Sequence, residues 1–175
     1  MASNGHWLTE LVRDIDDFPT EGVSFRDITP LLGNGDAFVR MINELAERFD
    51  GVHADRVLGI EARGFIIAAP VAYRMGAGFV PVRKAGKLPW AVVREDYSLE
   101  YGQDKLEIHR DAIHPGEQIL VIDDVLATGG TAAATVRLVE ALGGVVVGVG
   151  FLIELEELGG RAKLEGHRVE SLARY

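Results

Sequence analysis

The chain has 175 residues, 47% of them hydrophobic, no cysteine and a formal net charge of −9. That length suits one domain with a substantial core, and the lack of cysteine excludes a disulfide framework or a thiolate metal site and fits an intracellular setting. The acidic balance argues against general nucleic-acid binding, whose affinity comes from Lys and Arg on phosphates, and suits a small anionic substrate met by a few clustered cations.

No signal peptide is expected at Met1 to Trp7, and the longest apolar run, Gly143 to Ile153, is too short to span a bilayer. The elements then follow in chain order. Met1 to Pro30 is a hood segment ahead of the core. Asp36 to Phe49 reads as the first helix, with Phe38, Met41, Ile42, Leu45 and Phe49 at helical spacing. Arg56 to Ile60 is a short apolar strand. Gly64 to Met75 is a helix in which Pro70 is expected to act as an interruption or kink. Gly78 to Arg83 is the next strand. Ala85 to Ile108 shows no clear core face and reads as a long flexible excursion or β-hairpin, of the kind that is usually functional or mobile. Glu117 to Asp123 is a strand, Thr131 to Leu142 a helix, and Val145 to Phe151 a strand. Leu152 to Tyr175 is expected to join the N-terminal segment in a small lobe. The alternation predicts an α/β fold, a parallel sheet with helices on both faces and right-handed crossovers.

The most informative stretch runs from Val121 to Thr131. An apolar strand ends in Asp123 and Asp124; Ala127-Thr128-Gly129-Gly130-Thr131 then turns into a helix. Glycines allow a tight turn with inward N–H groups, and the helix N-terminus with the Thr128 and Thr131 hydroxyls suits a phosphate. The carboxylates can accept hydrogen bonds from vicinal sugar hydroxyls at the carboxyl edge of the sheet. A P-loop is excluded because no lysine lies between Asp124 and Thr135, and the three glycines of a dinucleotide fingerprint are absent.

Other residues add to this edge. Arg63 and Gly64 stand at a strand-to-helix junction, where Arg63 can bind phosphate bidentately. Arg83 and Lys84 close the next strand, with Lys87 beyond. Glu100, in Tyr97 to Gly102, is either a solvated loop residue or an acid/base carried over the site when the loop closes. Phe25 reads as core on pattern alone; the alternative is a ring for a planar base whose edge is read by exposed backbone N–H and C=O groups. The five histidines lack ligand spacing, so no zinc is expected. Mg²⁺ is expected to be held mainly through substrate oxygens, with no protein metal ligands.

Taken together, Phe25 to Pro30, Glu61 to Phe65, Arg83-Lys84 with Gly86 to Pro89, Tyr97 to Gly102 and Asp123 to Thr131 resemble the adenine branch of the type I phosphoribosyltransferases, in order from about Phe18 to Gly159. The resemblance implies Mg²⁺-dependent transfer of 5-phosphoribosyl from phosphoribosyl pyrophosphate to adenine, in purine salvage, by a cytoplasmic homodimer. It implies that Phe25 and Leu155 flank the base, that the Arg26 main chain reads its edge, and that Arg63, Arg83, Lys84 and Lys87 face the pyrophosphate. It further implies that Asp123 and Asp124 hold the ribose hydroxyls, that Ala127 to Thr131 hold the 5-phosphate, that Glu100 manages a proton at the purine and that Tyr101 lies at the substrate. The alternatives left open are transfer to another purine base, and a regulator that senses the sugar and binds nucleic acid. The acidic balance and the lack of a basic arm argue against the latter.

Overall fold

The computed structural model describes residues 6–98 and 103–175. In chain order it contains α1 (His6–Thr9), β1 (Arg13–Ile15), β2 (Phe25–Asp27), α2 (Thr29–Gly33), α3 (Gly35–Glu47), β3 (Arg56–Ile60), α4 (Glu61–Met75), β4 (Gly78–Lys84), β5 (Val92–Ser98), β6 (Gln103–His109), β7 (Gln118–Leu126), α5 (Gly130–Ala141), β8 (Val145–Glu154), two 3₁₀ turns (Glu156–Leu158 and Gly160–Leu164) and β9 (Val169–Arg174). The main sheet has seven strands in the order β5-β6-β4-β3-β7-β8-β9. Strands β4, β3, β7, β8 and β9 run parallel, and the β5–β6 hairpin adds antiparallel at one edge.

Side-chain alternation along the central strands divides the core in two. Val57, Leu120 and Ile122 pack with α3 and α4, while Leu58, Ile119 and Val121 pack with α5 on the opposite face. Helix α3 forms where its apolar stripe predicts, capped by the Asn34 side chain accepting from the Ala37 N–H at 3.1 Å. Phe49 falls just past the helix and is 1% exposed. Its ring lies against Gly148 and Gly150 of β8, where an added Cβ would come within 2.5 and 2.9 Å of it, so only glycine leaves room.

Four expectations are corrected. Helix α4 starts at Glu61, three residues early, and runs unbroken through Pro70. The carbonyl that Pro70 leaves without its usual donor belongs to Ile66, a residue on the exposed face of the helix. Strand β8 continues to Glu154, and Val169 to Arg174 becomes an edge strand of the main sheet, with Leu172 and Ala173 buried, so these parts of Leu152 to Tyr175 belong to the sheet and not to a lobe. In the N-terminal part of the expected lobe, the β1–β2 pair is tied to the C-terminus by the Arg26 guanidinium 4.5 Å from the Tyr175 ring. Finally, the excursion has a core face after all: Tyr97, Leu106 and Ile108 are buried against the α5 side of the sheet. Its alternation is masked in sequence by charges that pair in space, Arg94–Glu107 and Arg137–Glu95, each at 2.5 Å.

Candidate active site

Helix α4 leaves β3 toward one face of the sheet, and α5 leaves the adjacent β7 toward the other. The crevice between diverging connections is where open α/β sheets bind ligands. Strand β7 also outruns β3: the β3 ladder ends at Gly59↔Ile122, whereas β8 continues alongside to Leu126↔Glu154. Asp123 and Asp124 therefore lie within a strand rather than after it, at the point where one edge of β7 is open.

Asp123, Val125 to Gly130, Thr131 and Ala132 line a solvent-open concavity of about 320 Å³. Gly129 caps α5 with φ +75°, a left-handed conformation that favours glycine. No side chain caps this helix, so the N–H groups of its first turn have no intrahelical partner and are available to an anion. Ala127, Thr128, Gly129, Gly130 and Thr131 thus form a loop with the geometry of an anion cradle. Tyr97, 7% exposed, turns its hydroxyl to Thr131 of this loop and to Asp104 at 3.4 Å.

The two carboxylates differ. Asp123 is half-buried and opens to the concavity, accepting the Asp124 N–H at 2.9 Å. Burial, and then repulsion from the neighbouring Asp124 carboxylate, push its pKa well above the ordinary aspartate value. Its Oδ1 lies over Gly64 of α4, where an added Cβ would stand 2.9 Å away. Asp124 is 5% exposed and pairs through Oδ2 with Arg63 Nε at 2.8 Å, an ion pair that is not aligned as a hydrogen bond. Arg63 also holds its guanidinium 4.9 Å from the Phe25 ring, which Phe18 meets edge-on at 5.1 Å. Phe25 is only partly buried, so the reading of it as plain core does not hold. Leu155 follows β8, partly buried, its N–H donating to the Leu126 carbonyl at 2.9 Å.

The remaining cations converge on carboxylates that the sequence reading passed over. Glu61 sits at the β3–α4 junction with φ +35°, a strained value for a non-glycine residue of the sort that clusters at functional sites. Its carboxylate accepts the Lys84 backbone N–H and pairs with Lys87 Nζ at 3.3 Å and Arg83 Nε at 3.8 Å. Lys84 Nζ meets Asp104 at 2.8 Å, which holds the Asp104 carboxyl below its ordinary range. The Gly86 N–H donates to the buried Glu107 carboxylate at 2.9 Å and fixes the turn between Lys84 and Lys87. Only the positive φ of Glu61 marks it, and that is invisible in one dimension. The side chain of Arg26 is spent on Asp14 and Tyr175, leaving its main chain for any contact with a base. Glu100 and Tyr101 lie outside the described residues.

A parallel sheet with a cradle for a phosphate, an acidic pair for a sugar and a bank of cations across the crevice is the equipment of a phosphoribosyl transferase domain, and residues 15–169 match that family. An adenine phosphoribosyltransferase from Roseiflexus castenholzii is 54% identical over 168 residues, covering 96% of this chain and 98% of its own length. The crystal structure of adenine phosphoribosyltransferase from Thermoanaerobacter pseudethanolicus superimposes with a TM-score of 0.96 at 48% identity, over 98% of this chain and all of that one. The Saccharomyces cerevisiae enzyme, complexed with adenine and an imino-altritol bisphosphate, gives 0.91 at 40% identity over 98% and 99%. The chain belongs to the adenine phosphoribosyltransferases.

Proposed function

We propose that the chain transfers the 5-phosphoribosyl group of phosphoribosyl pyrophosphate to N9 of adenine, releasing AMP and pyrophosphate. The observation that carries this reading is Arg63, which touches the Phe25 ring on one side and Asp124 on the other and so joins an aromatic face to the sugar carboxylates. The adenine bound in the Saccharomyces cerevisiae relative is in keeping with it. In this reading Phe25 and Leu155 flank the base, and the Arg26 main chain reads its edge. Asp123 and Asp124 hold the ribose hydroxyls, and Ala127 to Thr131 hold the 5-phosphate.

As the bond from C1′ to pyrophosphate breaks and the bond to N9 forms, positive charge grows on the ribose beside the two carboxylates. Arg63, Arg83, Lys84 and Lys87 neutralise the departing pyrophosphate, the last three exchanging the Glu61 and Asp104 carboxylates for its oxygens. Glu100 manages the purine proton and Tyr101 lies at the substrate, as family resemblance supports. Among the described residues no cluster of three or more His, Cys, Asp or Glu is placed to hold a metal ion, and the hard oxygen chemistry suits Mg²⁺ carried on the substrate, where it supplies further charge neutralisation. Homodimer, cytoplasmic setting and purine salvage belong to the same proposal.

The test is AMP formation from adenine, phosphoribosyl pyrophosphate and Mg²⁺, with hypoxanthine and guanine in parallel. Product from adenine alone is expected. Product from another base only would overturn the roles of Phe25 and Leu155, and no product from any base would overturn the transfer itself. Glu100→Ala is expected to lower kcat in a folded protein; a wild-type rate would remove Glu100 from the proton step.

A further inference from the structure

We infer that the segment after β8 is a brace for the phosphate cradle, in which Gly160, pinned by the Arg161–Glu154 ion pair, positions Ala127 to Gly129. The inference rests on the proposed function, since it takes that cradle as the 5-phosphate site.

The two backbones meet closely. A Cβ on Gly160 would stand 2.1 Å from the Ala127 carbonyl oxygen and 2.8 Å from the Gly129 nitrogen. One on Gly129 would stand 2.3 Å from the Gly160 carbonyl oxygen. Neither distance is tolerable for a real side chain, and both partners are backbone, which cannot rotate away. Gly160 is buried but does not line the concavity, so it backs the cradle rather than meeting the ligand. As seen, the Gly129 φ favours glycine by itself; the packing adds an independent reason, and for Gly160 it is the main one.

The turn is anchored at two points after that contact. Arg161 donates Nε and Nη2 to the two oxygens of Glu154 at 2.7 and 2.5 Å, and Nη1 to the Val169 carbonyl at 2.8 Å. Glu154 is 4% exposed and also accepts from Ser171 Oγ at 2.8 Å, with Arg174 3.6 Å away. A planar guanidinium bound by both forks leaves little freedom in the turn that carries it. At the end of the same turn, Leu164 is 2% exposed and packs in the cluster that contains α5. Glu154 itself pairs with Leu126 in the β7–β8 ladder, one residue before Ala127, and precedes Leu155 of the base site. The brace therefore starts beside the beginning of the cradle and folds back onto its middle, so an error in the turn is transmitted to the loop. Gly160 and Arg161 act through the loop and are positioning residues.

The experiment compares wild type with Gly160→Ala and Arg161→Gln. Measured are KM for phosphoribosyl pyrophosphate, KM for adenine, Tm, and the rise in Tm produced by ribose 5-phosphate. Arg161→Gln leaves Ser171 and Arg174 on Glu154, so it keeps the question open to decision if Gly160→Ala does not fold. Expected is a KM for phosphoribosyl pyrophosphate raised about tenfold or more, adenine KM within about twofold, and a smaller thermal shift with ribose 5-phosphate. A folded Arg161→Gln protein whose two KM values move together, or not at all, overturns the brace. Wild type stabilised by ribose 5-phosphate with both variants stabilised equally overturns the brace alone. A wild type that ribose 5-phosphate does not stabilise overturns the phosphate cradle and the brace with it.

Discussion

Gly64→Ala separates the chemistry of the site from the stability of the fold. Gly64 is buried in the first turn of α4 and its backbone is ordinary helix, so alanine brings a gain in helix propensity of up to about 1 kcal/mol. Its Cβ would stand 2.9 Å from Asp123 Oδ1 and 3.4 Å from the Ile122 carbonyl oxygen. The second contact is tolerable. The first is relieved if the carboxylate, the free end of a side chain, moves by about 0.5 Å, and since a misplacement near 1 Å costs on the order of 100-fold, roughly a tenfold loss of kcat/KM follows. For a chain of this length 1 kcal/mol is about 2–4 °C, so Tm stays level or rises by that much. Steady-state AMP formation with thermal unfolding of the same preparation gives both numbers. Activity within twofold of wild type would refute the placement of the Asp123 carboxylate over Gly64. Activity and Tm falling together would refute the claim that only the carboxylate yields.

Asp123→Asn is expected to lose activity yet gain stability at neutral pH, because the folded state raises the pKa of this carboxyl and ionising it therefore costs stability as pH rises above the ordinary value near 3.8. The advantage of the variant should shrink as pH falls toward that value; a Tm difference constant from pH 4 to 7.5 would refute the desolvation of Asp123. Thr128→Val keeps the shape of a residue lining the concavity but removes a donor, and KM for phosphoribosyl pyrophosphate should rise about tenfold for one bond of ~1.4 kcal/mol. An unchanged KM would move the 5-phosphate elsewhere. Gly148→Ala is the converse case: its Cβ would fall 2.5 Å from the buried Phe49 ring, so a loss of about 1–3 kcal/mol is expected in chemical denaturation, with kcat per folded molecule unchanged. Wild-type stability would show that Phe49 has room to retreat.

What the sequence determined by itself is chemistry carried by neighbours in the chain. The Asp123 to Thr131 stretch was legible because a tight turn, an uncapped helix start and two carboxylates on one strand are consequences of consecutive residues, whatever surrounds them. The same holds for α3, whose stripe of Phe38, Met41, Ile42 and Leu45 is periodic and capped by Asn34, and for the parallel sheet implied by alternating strands and helices. Tertiary structure alone decided which distant groups meet. Arg63 reaches Asp124 because β3 lies beside β7, and meets Phe25 because β2 brings that ring to the start of α4. Glu61 pairs with Arg83 and Lys87, and Asp104 with Lys84, three cations whose charges in sequence looked free for a ligand. The core face of the hairpin was hidden because Arg94, Glu95 and Glu107 read as solvated until their partners are placed. Nothing local to Gly160 requires the absence of a side chain; the requirement comes from the Ala127 carbonyl, more than thirty residues away along the chain and 2.1 Å from where a Cβ would be. Short-range propensity writes the elements and the cradle, whereas burial, charge pairing and close packing depend on contacts that exist only once the sheet has formed.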